Sequence, residues 1–599
     1  MQRGNLSKWT NIPACINLLF FSQLVNEQLF DYSIPSNRVA TLNSHYLCMD
    51  AIDAIGRIED NCVPEGTLKP IMEELYTSLS KDPVFGDEDS PLRLFVKYQD
   101  GRYTKCNNIS SLNYHELREI AWAIHSRYFE GQDYLNALTE NISDLIKENN
   151  EATQPELFRM TKSLLTELTN AGYSLKYIFY IANEILWNPS SEISSPEVID
   201  TFFRSFQFES RSYEVVFIVN PNKVRNFVES ISSIKLLDNI QPKTRTQEEK
   251  NFLDKENNKK FLQMTIDDID PFSASEKAMK MIDIYASIYR MYDHYYRYDI
   301  HGVRCGVYCE NGFYRIRRAK NPTFHVKMPT RVQITKNVEL ATSILRQDKY
   351  TSHTLHDYLT LLNAASFHAQ ALSSSSPENQ LLDFWAIFEA ILDISNEHTG
   401  DRIQQVCKYL VPILKRRYLY SLFKELGKDI KNYSEEKYNI IIGGETEDAK
   451  VVQKVAEFII LPENDKYRED FLNGCVDYPL MKERVDYYNK MLNSPRAVYD
   501  FVEKHASRVR WQIMRIYRNR NLIIHNGQSM PYLELLIENL HNYIDDFLEY
   551  SFKSISDGHS IESMGLDLFA KECDWVSCFS TNSKGKEMNT ELLCKALAL

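Results

Sequence analysis

The chain has 599 residues, more than one compact core holds, and three or four domains are expected. With 43% hydrophobic and 25% charged residues it has the composition of a globular protein with a sizeable core, which argues against a disordered chain. A net charge of −13 repels polyanions on average, so a general nucleic-acid coat is disfavoured and any phosphate chemistry needs a local basic site.

Glycine (19) and proline (20) are scarce, which leans the chain toward helix, and 36 Tyr and 30 Phe suit large packed interfaces. The 11 cysteines are scattered. Cys305 and Cys309 have no second pair to complete a zinc site, and the alternation around them puts both on one strand face as reduced thiols.

At the start, Ile12 to Val25 is apolar but interrupted by Asn17, Ser22 and Gln23. It is too short and too polar to span a membrane, and reads as an amphipathic N-terminal helix. No other stretch has the length of a span, so a cytoplasmic protein without a membrane partner is expected. Residues 1–198 form a helical region, with apolar positions at helical spacing in Tyr114–Phe129, Glu156–Asn170 and Leu175–Trp187. No cluster there resembles a site.

Residues 199–335 read as an α+β domain. Tyr213–Val219 is rich in β-branched and aromatic residues, and Val303–Arg318 reads as a hairpin around Glu310-Asn311-Gly312. Gln241–Lys260 is polar and predicts an exposed loop; Ala274–Tyr298 predicts a helix. Residues 336–556 return to helix. Ser376 is placed to cap a helix that has Pro377 first, and Phe384–Leu392 is apolar nearly all round, as in the central helix of a bundle. The polar tail, 557–599, is expected to pack loosely or to cover a neighbour. The fold class is thus mainly α and multidomain.

The informative segment runs from Arg508 to Gly527. No acid occurs from Lys504 through Leu533, whereas five arginines do: Arg508, Arg510, Arg515, Arg518 and Arg520. Such a concentration suits a phosphate ligand; without a histidine, a solvated face paired with distant acids is the plainer reading. His525 supplies that histidine, five residues after Arg520, within Arg-Asn-Leu-Ile-Ile-His-Asn-Gly. On a straight helix Arg520 and His525 lie about 140° apart, whereas Arg518, Asn521 and His525 form one stripe. Either the helix loosens before Asn526, or the long side chain of Arg520 reaches round, or Arg518 is the partner.

Arg520-Asn521-x3-His525 resembles the motif of HEPN ribonucleases, and its wording is closest to the Apea-like branch found in bacterial anti-phage proteins. Phe384-Trp385-Ala386-Ile387-Phe388-Glu389-Ala390-Ile391-Leu392 resembles the opening helix of that branch, followed by Gly400-Asp401-Arg402-Ile403. The resemblance covers about residues 340–555 and implies a HEPN antiparallel helical bundle with Arg520, Asn521 and His525 as its catalytic centre. Arg518 and Glu389 are supporting candidates, and Arg515, Arg510 and Arg508 are candidates for holding RNA. It further implies a homodimer through that domain, no metal or cofactor, and endoribonuclease activity on RNA (tRNA among the candidates) in defence by abortive infection. Residues before 335 would then sense a phage-derived trigger or restrain the nuclease. A catalytically silent HEPN scaffold binding RNA or protein is the second reading.

The residue types suit the chemistry. RNA is cut without metal when its 2′-OH attacks the adjacent phosphate, which needs a proton carrier near neutral pH and a fixed cation. Histidine and arginine supply these. No P-loop, H-E-x-x-H or paired C-x-x-C occurs, and Gly443-Gly444 reads as a loop. Lys415-Arg416-Arg417 reads as a solvated helix end that could also help hold RNA.

Overall fold

The computed structural model describes residues 4–29, 40, 42–86, 90–106, 108–221, 224, 228, 231, 233–254, 258–294, 304–310, 312–316, 352–374, 376–392, 399–581 and 585–597. The chain is mainly helical with one antiparallel sheet of five strands and one small hairpin among these residues. It divides into two compact units, one of residues 1–166, 194–196 and 323–599, the other of 167–193 and 197–322. This differs from the division expected from sequence, because the N-terminal helices share a unit with the C-terminal ones. The expected boundary at 335 lies outside the described residues, as do Val303 and Asn311.

The first unit begins with α1 (Ile16–Leu29), α2 (Ser44–Glu59), α3 (Leu68–Leu79), the hairpin β1 (Val96–Gln99) and β2 (Arg102–Lys105), α4 (Tyr114–Ile124), α5 (Asp133–Glu148) and the larger part, to Thr166, of α6 (Gln154–Asn170). The first helix is not amphipathic: it is buried continuously from Asn17 to Gln28. Its polar residues find partners inside. Asn17 donates to the carbonyls of Leu145 (2.9 Å) and Asn150 (3.0 Å). Gln23 donates to the Asp477 carbonyl at 3.1 Å and accepts from the Leu480 amide at 3.3 Å. Polar residues that read as a wet face are therefore the anchors of a buried helix.

The second unit holds α7 (Leu175–Ala182), α8 (Val198–Arg204), β3 (Arg211–Val219), β4 (Ile234–Leu237), α9 (Gln247–Leu253), β5 (Lys260–Asp268), α10 (Pro271–Tyr292), β6 (Cys305–Cys309) and β7 (Gly312–Ile316). The strand order is β4-β5-β3-β6-β7. Successive residues of β3 point to opposite faces: Val215 and Phe217 join the core under α10, while Val216 and Ile218 pack with Phe252 and Phe261. The expected loop at 241–260 thus contains a helix, α9. Polarity concealed it, because Glu249 turns inward to accept the amides of Lys243 (2.7 Å) and Thr244 (3.0 Å). Cys305 and Cys309 do share one face.

The first unit resumes with α11 (Ser352–Ser373), α12 (Pro377–Ile391), α13 (Thr399–Tyr433), α14 (Glu435–Ile442), α15 (Asp448–Ile460), α16 (Asp465–Asn473), α17 (Pro479–Met491), α18 (Pro495–Asn526), α19 (Leu533–Ser556), α20 (Ile561–Val576) and α21 (Thr590–Leu597). Ser376 caps α12 through the Asn379 amide at 3.3 Å, with Pro377 in the first turn. Phe384, Trp385, Ile387 and Phe388 share one core with Val509, Ile513 and Ile516 of α18 and with Ile537, Ile544 and Phe547 of α19. The tail is helical and packed: Met564, Leu568, Trp575 and Leu593 are buried, and α20 and α21 contact α13. No helix among the described residues is long and apolar enough to cross a membrane.

One ion pair ties α1 to α17. Glu27 and Arg484 meet at 2.7 Å with side chains only 3% and 4% exposed. Removing one partner of such a pair leaves an uncompensated buried charge. Glu27→Ala should cost about 3–5 kcal/mol, read as a lower urea midpoint; an unchanged midpoint would show that the pair contributes nothing.

Candidate active site

The long helix α18 starts at an N-cap, Ser494, which accepts from the Ala497 amide, with Pro495 following. It ends at Gly527, whose φ of +63° is the left-handed cap that glycine adopts without strain; its amide donates to the Ile523 carbonyl at 3.1 Å. The helix therefore stays regular through His525, and no loosening brings His525 toward Arg520. The side chain of Arg520 reaches instead. Its Nη1 donates to Asn521 Oδ1 at 3.2 Å and its Nη2 to Glu389 Oε1 of α12 at 2.8 Å. Trp385 Nε1 donates to the same Glu389 oxygen at 3.2 Å, which fixes the carboxylate.

Asn521 stands one turn before His525, on the same face of α18. Arg520, Asn521 and Glu389 are thus brought into contact, and His525 lies exposed in the last turn just beyond them. Among the described residues no hydrogen bond or ion pair holds the His525 ring. The turn behind it is secured by Asn519, whose Oδ1 accepts the Met530 amide at 3.3 Å, and by Ser529, which donates to Glu378 of α12 at 3.1 Å.

Burial sorts the remaining arginines. Arg515 is 2% exposed. It donates to Glu74 of α3 and to Gln512 at 2.7 Å, and its Nε lies 3.9 Å from Asp50 of α2. Burial pushes the Glu74 carboxyl above its usual range, against the pull of the Arg515 charge. Arg515 therefore presents no donor to RNA in this conformation, contrary to the role expected from sequence. Arg518, the second candidate for the catalytic arginine, donates to Asp50 Oδ2 at 2.7 Å. Arg508 and Arg510 are exposed, as holding RNA requires. Lys415-Arg416-Arg417 is not a helix end: it lies within α13, with Lys415 buried against Glu503 and Glu572 and Arg417 paired with Asp546 and Glu549.

Asp50, Glu74 and Asn519 were missed by sequence reasoning. Asn519 carried a weak signal, an amide inside an arginine-rich helix. The two acids carried none, since their partners lie hundreds of residues away. Comparison with protein-family models, curated proteins and solved structures finds no match for the chain.

His505 gives α18 a pH dependence. Its ring stacks on Tyr418 at 3.6 Å between centroids, and burial, helped by the Arg508 charge, holds its pKa down to about 3. The unfolded chain takes up this proton near 6.5. The contribution is therefore complete above pH 6.5 and is lost as pH falls from there toward 3. Unfolding free energy measured across that window should decline by roughly a few kcal/mol, less steeply in His505→Phe; equal slopes would rule out His505 as a cause.

Proposed function

We propose that the chain is a metal-independent endoribonuclease of HEPN type, acting in anti-phage defence by abortive infection. The observation that carries this reading is the Arg520–Asn521 contact, one turn before an exposed histidine at the capped end of α18. In this reading His525 moves the proton of the attacking 2′-OH or of the leaving 5′-oxygen. Arg520 exchanges Glu389 for the phosphate oxygens and stabilises the charge that builds on them. Asn521 positions the guanidinium or the phosphate, and Arg508 and Arg510 track the RNA backbone. A second copy of the domain completes the site; Ile524, 47% exposed beside His525, offers it an apolar contact.

The second reading, a silent scaffold, draws on the Arg520–Glu389 ion pair, which a protein without phosphate chemistry could keep for stability alone. Substitution separates the two. Arg520→Ala and His525→Ala should each slow RNA cleavage by the purified full chain by about 10²–10⁴-fold, with circular dichroism unchanged. Cleavage should persist in EDTA. Wild-type rates in both variants, or a strict Mg²⁺ requirement, would refute the mechanism.

Restraint is part of the proposal. Asp50 and Glu74 occupy Arg518 and Arg515, so the N-terminal helices withhold two cations from RNA. A trigger can release them only by binding the open state more tightly than the closed one. Deleting the N-terminal region is not a clean test, because α1 is buried against α17. Asp50→Asn keeps the shape and removes the charge: it should raise toxicity or cleavage several-fold, in a His525-dependent way. Unchanged or lower activity would assign Asp50 to folding alone.

A further inference from the structure

A second cluster of chemistry-bearing side chains lies in the same bundle, apart from the arginine-rich helix. His368 comes from α11; His541 and Asp545 stand one turn apart on α19. His368 Nε2 is 3.0 Å from Asp545 Oδ1, and His541 Nε2 is 3.5 Å from Asp545 Oδ2. One ligating atom from each of the three lies within 4.8 Å of the others. We propose that His368, His541 and Asp545 bind a divalent transition metal of the zinc class, which fastens α11 to α19.

The donor set is the first argument. Two imidazoles and one carboxylate suit zinc, and three protein ligands leave a fourth position for water. Spacing is the second. Ligands about 2.0–2.1 Å from a tetrahedral ion lie about 3.3 Å from one another; each histidine lies near that distance from one carboxylate oxygen, His368 at 3.0 Å from Oδ1 and His541 at 3.5 Å from Oδ2. The longer one is too long for a charge-assisted hydrogen bond, whose usual length is about 2.7–2.9 Å, yet suits two ligands of one ion. His541 and Asp545, four apart on α19, already face the same way, and His368 reaches Asp545 from α11.

The surroundings agree. His541 is 4% exposed and its ring stacks on Phe384 at 4.9 Å, which fixes its plane. The Asp545 side chain is 43% exposed, so an ion and its water can enter from that side. Arg417 already neutralises the neighbouring acids Asp546 (2.7 Å) and Glu549 (2.8 Å), and Asp545 is directed at the histidines instead. The ion would act on stability, not on the RNA step, so the inference stands or falls apart from the ribonuclease reading.

The test uses the full chain, stripped with EDTA and exchanged into chelator-free buffer. Zn²⁺ should bind with one equivalent in calorimetry and raise Tm by several degrees, and Co²⁺ in its place should give the visible d–d bands of a tetrahedral nitrogen–oxygen site. Because His541 is buried and its loss could unfold the bundle, the variants are His368→Ala and Asp545→Asn, each at an exposed or partly exposed position. Both should weaken Zn²⁺ by about tenfold or more and abolish the Co²⁺ bands while their metal-free Tm stays near that of the wild type. Binding that survives both substitutions, or no Zn²⁺ binding and no Tm shift in the wild type, would overturn the proposal and leave a His368–Asp545 hydrogen bond beside His541.

Discussion

Arg515 is a buried cation, and the first unit is organised around satisfying it. Taking a guanidinium out of water costs several kcal/mol unless partners replace the lost hydration. Glu74 from α3 and Gln512 accept hydrogen bonds from its Nη groups, the Asp50 carboxylate of α2 lies 3.9 Å from its Nε, and Asp50 also holds Arg518. The Glu27–Arg484 pair does the same between α1 and α17. These contacts commit the N-terminal helices to the C-terminal bundle, which is why residues 1–166 belong to one unit with 323–599. They also fix the rotation of α18, and with it the direction in which the last turn presents its residues.

That rotation divides one arginine-rich helix into parts with different work. Arg515 and Arg518 face acids from the N-terminal helices, Arg520 faces Glu389 on the central helix α12, and Arg508 and Arg510 face water. The net charge of −13 therefore does not argue against a phosphate site. Acids are placed where they neutralise particular arginines, Arg515, Arg518 and Arg520, and Arg508 and Arg510 are left facing water. In the proposed function, the same ion pairs that stabilise the fold keep the nuclease quiet, so stability and restraint share residues.

Features set by neighbours in sequence were legible. The Ser376 cap and the period of two in β3 depend on residues within a few positions of each other, as does the hairpin of β6 and β7. Phe384–Phe388 was legible as the bundle centre because it is apolar on every side. Features set by distant partners were not. Asn17 and Gln23 read as part of an amphipathic helix, because a sequence does not reveal the carbonyls that await them. Lys415 read as solvated for the same reason, although it is buried between two glutamates. At the candidate site Arg520, Asn521 and Glu389 were named from sequence and are found in contact; the burial of Arg515 was not foreseeable from the helix alone, since it depends on Glu74 and Asp50.

In the proposed function the 2′-oxygen attacks phosphorus without a metal, its proton leaving through His525 while the 5′-oxygen departs and Arg520 holds the phosphate charge. The most direct measurement is the chemistry of the cut ends. RNA incubated with the purified protein in EDTA should yield fragments with a 2′,3′-cyclic phosphate and a free 5′-OH, identified by mass spectrometry. Fragments bearing a 3′-OH and a 5′-phosphate would contradict it, because those ends require water rather than the 2′-OH as the nucleophile.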